Sequence, residues 1–188
     1  MARKPKSLDV FHKYVGDTLQ VVKGESAQAC VLILSATLEQ ALMTLLGSFL
    51  MECTTADEMF KPNGELESFF KCTRMAYCLG FIPDAVRKNL ETIGKIRNRF
   101  AHETIMIDFS DKEVSDHCKT LTLPKQSFLT STVTEHEFEN DLRVRFTEVW
   151  GRLVLYLLFV ASRNGAPRTP DEEGSAGYRP ILSATTSA

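Results

Sequence analysis

A run of eight residues near the middle of the chain, from Ile96 to Glu103, has side chains that suit chemistry on a phosphodiester. It has the sequence IRNRFAHE, so Arg97 is followed directly by Asn98 and, five positions on, by His102. Arginine presents a permanent charge on a planar fork of N–H donors, and histidine exchanges protons near neutral pH. His102 could act as general base or acid, with Arg97 neutralising the phosphate and Asn98 orienting it, without a metal ion.

The same residues also suit a structural role, and the sequence leaves both alternatives open. A charged imidazole is favoured near a helix C-terminus, where His102 is predicted to lie. Arg97 falls between apolar positions and could pair with a buried acid, for which Glu39 is the preferred candidate. Arg74 is the alternative cation for Glu39, which lies in an apolar stripe and is expected to face inward. A Glu39–Arg97 pair could also hold Arg97 ready for function.

The spacing of the two candidate catalytic residues constrains how they could meet. Five residues correspond to a rotation of about 140° on an ideal helix. Arg97 and His102 of one chain would therefore converge only if His102 leaves the helix. In a homodimer, a second chain could instead bring its own copies to one cleft.

The elements that must position these residues are predicted to be helices. Apolar residues recur at three- and four-residue steps through most of the chain, which predicts an all-α bundle of five or six helices in a single domain. The predicted helices cover about residues 7–23, 26–53, 65–79, 83–102, 110–121 and 134–162. Capping boxes are predicted at Ser110 and Thr134, and Gly80 is predicted to end the third helix. The domain spans residues 1–163, and the Gly/Pro/Ser/Thr-rich segment 164–188 is predicted to be a disordered tail.

Composition excludes several classes of function. The 188 residues carry a formal net charge of −2, and 44% are apolar, which is typical of a soluble globular protein and not of a non-specific DNA binder. No helix-turn-helix pattern is visible, and Arg143, Arg145 and Arg152 are predicted to form a solvated face with neighbouring acids. No ligand spacing or glycine-rich phosphate loop supports a metal or a cofactor, so neither is predicted.

Cysteine usage and hydropathy bear on the compartment. Five cysteines, without a CxxC pair or a secretion signal, indicate a reducing cytoplasm. The segment from Ala29 to Met51 is strongly apolar, but Glu39 and Gln40 lie at its centre. A carboxylate there is costly in a bilayer, so this segment is predicted to be a core helix and not a membrane span.

Several motifs in order resemble the mannitol operon repressor family, over roughly residues 23–123 and more loosely to about 163. These motifs are Ala36–Leu42, Leu45–Leu46, Phe49–Leu50, Asn63–Leu66 with Phe69, Ala76–Ile82, Ile93–His102, Phe109 and Cys118. The resemblance implies a small, cytoplasmic, all-helical bacterial regulator. Since the family lacks an obvious DNA-reading element, it also implies action through a protein partner.

The Arg-Asn-x-x-x-His run also resembles the signature of the HEPN superfamily, which includes metal-independent ribonucleases. Carried over by position, that resemblance implies that Arg97 and His102 are active-site residues, with Asn98 in support and Glu39 in an inner supporting position. Three hypotheses follow: a regulator that binds a protein, an endoribonuclease acting as a dimer on RNA, and a helical scaffold in which Arg97 and Glu39 are structural.

Overall fold

A computed structural model describes residues 8–103, 106–124 and 133–163 of the chain. These residues form eight helices and no strand, which confirms the predicted all-α bundle. The helices are α1 (Leu8–Val22), α2 (Ala27–Gly47), α3 (Thr54–Met59), α4 (Phe69–Cys78), α5 (Asp84–His102), α6 (Lys112–Thr120), α7 (Glu135–Asn140) and α8 (Leu142–Arg163). The predicted tail, 164–188, lies outside the described residues.

Helix α2 lies at the centre of the bundle. It packs most extensively against α8, and it also contacts α1, α4 and α5. Leu34, Leu38, Leu42 and Leu45 along it are fully buried. By length and composition alone α2 could cross a membrane, but half of its most apolar window is buried inside the fold, as is usual for the core helix of a bundle.

A buried tryptophan joins the two central helices. Trp150 of α8 is completely inaccessible to solvent. Its indole Nε1–H donates to the main-chain carbonyl of Leu34 on α2 at 2.7 Å, and Thr37 Oγ1 lies 3.2 Å from the same nitrogen. The large apolar ring is buried and its one polar atom is satisfied, which fixes the register of α8 against α2.

The second helix is shorter than predicted. It ends at Gly47, where the Ser48 hydroxyl donates to the carbonyl of Leu45, and the short α3 follows where a loop was expected. Phe49, which falls inside the predicted helix 26–53, lies beyond the end of α2 and is 41% exposed. The apolar pattern continues past Gly47, but the hydrogen bond from the Ser48 side chain to Leu45 favours the end of the helix at this point.

Helix α4 corresponds to the third predicted helix, about residues 65–79. It begins later than predicted, at Phe69, and its end at Cys78 agrees with the prediction. Ser68 caps its first turn by accepting from the Lys71 N–H. At the other end Gly80 has a positive φ of 74°, and the N–H groups of Gly80 and Phe81 return to the carbonyls of Tyr77 and Ala76. This is the Schellman arrangement that glycine favours.

The predicted last helix is two helices. The Thr134 capping box forms and opens α7. Asp141 then breaks the helix, and its carboxylate accepts from the N–H groups of Arg143 and Val144, which starts α8. The capping box expected at Ser110 does not form, because the neighbouring Asp111 accepts from the Val114 N–H in its place.

The arginines of α8 do not form the predicted solvated face. Arg143 donates to the carbonyls of Val22 and Glu25 at the end of α1. Arg145 donates to the carbonyl of Lys119 near the end of α6. Carbonyls at a helix C-terminus lack partners inside the helix and attract cations, so these arginines join α8 to its neighbours.

Arg152 is largely buried as well. It forms an ion pair with Glu148 at 3.0 Å, one helical turn earlier. This contact is also inconsistent with a solvated face, because only 10% of the Arg152 side chain and 14% of the Glu148 side chain are accessible.

Replacing Trp150 with phenylalanine should lower the free energy of unfolding by about 1.5–3 kcal/mol, since both the indole hydrogen bond and part of the ring volume are lost. Urea denaturation followed by circular dichroism measures this change. Tyr14→Phe, at a 40% exposed position on α1, is the matched control and should change stability by less than about 0.5 kcal/mol. Equal effects of the two substitutions would contradict the proposed role of Trp150.

Candidate functional site

The two candidate catalytic residues both lie on α5 and are both exposed. Arg97 is in the last third of the helix, and His102 is its final helical residue. The helix end agrees with the sequence prediction. Because the helix continues through both residues, their side chains leave it about 140° apart. Within one chain they do not converge on a common reacting group.

A cavity of about 270 Å³ lies between α2, the start of α4 and α5. Three of the four residues selected from the sequence, Glu39, Arg97 and Asn98, line it. Arg97 Nη1 donates to Asn98 Oδ1 at 3.1 Å, which uses one of the five guanidinium N–H donors. His102 is absent from the cavity wall.

The expected ion pair between Glu39 and Arg97 does not form. The two residues line the same cavity, yet Glu39 is half-buried, Arg97 is exposed, and neither has an ion-pair partner among the described residues. The alternative cation, Arg74, is also exposed and forms no such pair. Since both groups remain accessible to water, hydration replaces the pairing that full burial would have required.

Two further features of the wall were not singled out from the sequence. Ser35, one turn before Glu39, is 7% exposed, and its Oγ has no hydrogen-bond partner among the described residues. Gly94 of α5 faces the ring of Phe70, and a Cβ atom at this glycine would lie 2.7 Å from Phe70 Cζ. The missing side chain lets the aromatic ring approach the α5 backbone and form the apolar side of the cavity.

In the last turn of α5, Arg99 is the centre of an ion-pair network that the sequence analysis did not predict. Arg99 forms ion pairs with Glu103, Asp111 and Glu113. These contacts tie the end of α5 to the start of α6. Among the residues that the structure describes, no group of three or more His, Cys, Asp or Glu side chains could hold a metal ion.

An apolar patch is exposed at the end of the bundle where α2 and α4 finish. The rings of Phe49 and Phe81 stack with their centroids 3.6 Å apart. Phe49, Met51 and Leu79 are 41%, 48% and 36% exposed, whereas Phe81 is half-buried against the core. We call these four residues the end patch. Clustered exposed apolar side chains are typical of protein-binding surfaces.

Comparison with known proteins identifies a similar fold. The chain resembles MtlR in the X-ray structure of the MtlR-HPr complex from Escherichia coli, with a TM-score of 0.50 and 17% sequence identity over 82% of this chain and 98% of that chain. No protein-family model matches the sequence, and no curated protein sequence matches it significantly. At this level of identity the likeness establishes the shared fold.

Glu39→Gln should change the free energy of unfolding by less than about 0.5 kcal/mol, because Glu39 is half-buried and forms no ion pair. Chemical denaturation measures this change. Glu148→Ala is the contrasting variant and should lower the free energy of unfolding by about 2 kcal/mol or more, since it removes a largely buried carboxylate that forms an ion pair with Arg152. A loss above about 2 kcal/mol for Glu39→Gln would indicate that Glu39 and Arg97 pair in solution.

Proposed function

We propose that this chain is a cytoplasmic regulatory protein of the mannitol operon repressor type, which acts on transcription by binding a protein partner and not by contacting DNA. The observation that carries the proposal is the fold that it shares with nearly the whole of an MtlR chain, a protein solved in complex with HPr. Of the motifs that resemble the mannitol operon repressor family, Ala36–Leu42 lies in α2, Ala76–Ile82 covers the end of α4 and the turn after it, and Ile93–His102 lies in α5.

The placement of the arginines supports a protein partner over DNA. A protein that binds the phosphate backbone needs accessible cations clustered on one face. On α8, Arg143 and Arg145 donate to main-chain carbonyls, and Arg152 pairs with Glu148. Their donors are therefore used within the fold, and the formal net charge of −2 adds no general attraction for nucleic acid.

The end patch supplies a surface for such a partner. Its stacked rings are already held together in the free protein, so little side-chain entropy is lost when a partner covers them. We place the contact with HPr, or with a protein that presents the same surface, on this patch. All five cysteines are free thiols, which agrees with the cytoplasmic assignment. Burial raises the pKa of the Cys72 thiol to about 11 and that of the Cys118 thiol to about 12.

Titration of the purified protein with purified HPr in a calorimeter tests the proposal. We expect saturable binding with a Kd in the micromolar range, roughly −8 kcal/mol. Leu79→Asp should weaken binding about tenfold or more, because it places a charge in the apolar contact. Val21→Asp, an exposed apolar position on α1 at the opposite end of α2, is the matched control and should bind like the wild type.

The outcomes separate the parts of this proposal. Binding that survives Leu79→Asp would move the contact away from the end patch. No binding of HPr, together with a specific gel shift of promoter DNA, would contradict regulation through a protein partner.

A second candidate function is a metal-independent endoribonuclease of the HEPN type. The observation that favours it is that Arg97 and His102 are both exposed, with Asn98 accepting a hydrogen bond from Arg97. Because the two side chains diverge on α5, the active site would form between two chains, with Arg97 of each facing His102 of the other. RNA is the substrate of this alternative.

Incubation of RNA with the purified protein in EDTA tests this alternative. If the chain is such an enzyme, His102→Ala should abolish cleavage while leaving the circular dichroism spectrum unchanged, because the general acid and base is lost. His136→Ala, at an exposed histidine on α7, controls for a contaminating nuclease and should retain activity. Equal cleavage by all three proteins, or by none, would exclude a catalytic role for His102.

A further inference from the structure

We propose that the cavity between α2, α4 and α5 binds a small zwitterion, namely a free α-amino acid with an apolar side chain. In this arrangement Arg97 holds the carboxylate, Glu39 holds the ammonium group, and Phe70 contacts the apolar side chain. The inference is independent of the proposed contact with HPr, because it concerns a different surface and a different class of ligand, and it shares Arg97 with the alternative ribonuclease site.

The charges facing the cavity carry the argument. Glu39 and Arg97 lie on different helices, line one cavity and form no ion pair with each other or with another described residue. The other carboxylate in the wall, Glu67, is already paired with Lys71 at 2.7 Å. One free cation and one free anion therefore face the same space, which matches the two opposite charges of a zwitterion.

The available donors and acceptors fit the same ligand. Arg97 uses Nη1 for Asn98, which leaves the other edge of the guanidinium for a bidentate contact with a carboxylate. Ser35 lines the cavity one helical turn from Glu39, and its buried Oγ lacks a partner. Rotation about its Cα–Cβ bond would let this hydroxyl accept from a ligand ammonium group beside Glu39.

The size and the remaining wall restrict the ligand further. A volume of about 270 Å³ is below the roughly 300–1,000 Å³ of sites for drug-sized molecules, so it suits a ligand the size of an amino acid. The ring of Phe70 reaches the α5 backbone where Gly94 lacks a side chain, and Ile93 and Phe69 also line this part of the wall. These contacts favour an apolar side chain over a charged one.

Calorimetric titration of the full-length protein with L-phenylalanine and L-leucine tests the proposal, with the remaining natural amino acids screened by thermal shift. We expect saturable binding of at least one apolar amino acid, with a Kd of about 0.05–1 mM. Phenylacetate lacks the ammonium group and phenethylamine lacks the carboxylate. Each should bind at least about tenfold more weakly than L-phenylalanine.

Two pairs of variants locate the site. Glu39→Gln and Arg97→Gln should each weaken amino-acid binding about tenfold or more. Glu65→Gln and Arg74→Gln remove the same charges from exposed positions outside the cavity and should bind like the wild type. Circular dichroism and the melting temperature establish that every variant is folded.

Three outcomes would overturn the proposal. The first is that none of the natural amino acids binds at ligand concentrations up to about 20-fold above the expected upper Kd of about 1 mM. The second is that binding persists unchanged in both Glu39→Gln and Arg97→Gln. The third is that phenylacetate or phenethylamine binds as tightly as L-phenylalanine, which would point to a simple anion or cation site. Since HPr binding is measured separately on the end patch variants, failure here leaves the proposed function to its own test.

Discussion

The contact between Trp150 and the carbonyl of Leu34 is the constraint on which the rest of the bundle depends. It joins α8 to α2, the pair of helices with the most extensive packing, at a point completely removed from solvent. A buried indole N–H without a partner is destabilising, so α8 can shift along α2 only by giving up this hydrogen bond. With α8 fixed, its arginines reach the ends of α1 and α6, and the positions of these outer helices follow from the same contact.

Several arginines of this protein are used inside the fold to join helices. A helix end leaves carbonyl groups without partners, and a half-buried guanidinium can satisfy several of them at once. Arg143 donates to the carbonyls of Val22, the last residue of α1, and of Glu25 in the turn that follows, while Arg99 forms ion pairs with three carboxylates at the junction of α5 and α6. Cations that hold helices together in this way are withdrawn from the surface that a phosphate backbone would contact.

The cavity beside α5 has the opposite character, because two charged residues in its wall, Glu39 and Arg97, form no ion pair with any described residue. Glu39 projects from the central helix and Arg97 from a neighbouring one, and the space between them is bounded by Phe70 and by the bare backbone at Gly94. A rigid bundle can keep opposite charges apart in this way, since the packing of α2 on α5 and α4 sets the separation of the helices. Because α5 remains helical through His102, the rotation of about 140° over five residues directs His102 away from this cavity.

The sequence by itself determined the helical class of the fold and most of the local punctuation. Four features were predicted correctly: the all-α bundle, the end of α5 at His102, the Gly80 cap and the Thr134 capping box. They depend on apolar periodicity and on hydrogen bonds between residues that are close in sequence, so a short stretch of the chain is enough to predict each of them. The selection of Glu39, Arg97 and Asn98 as neighbours was also available from the positions of polar residues within apolar helices. Their proposed roles remain to be tested.

Only the tertiary structure decided how those residues are paired and which side chains surround them. The Glu39–Arg97 ion pair that the sequence analysis preferred does not form, and the prediction of a solvated arginine face on α8 was wrong. An arginine side chain is long enough to reach several carboxylates or carbonyls, and the one it contacts depends on the distance and rotation between helices, which no local pattern encodes. The same reason kept Ser35, Phe70 and the end patch from view, because each is defined by residues brought together from separate helices.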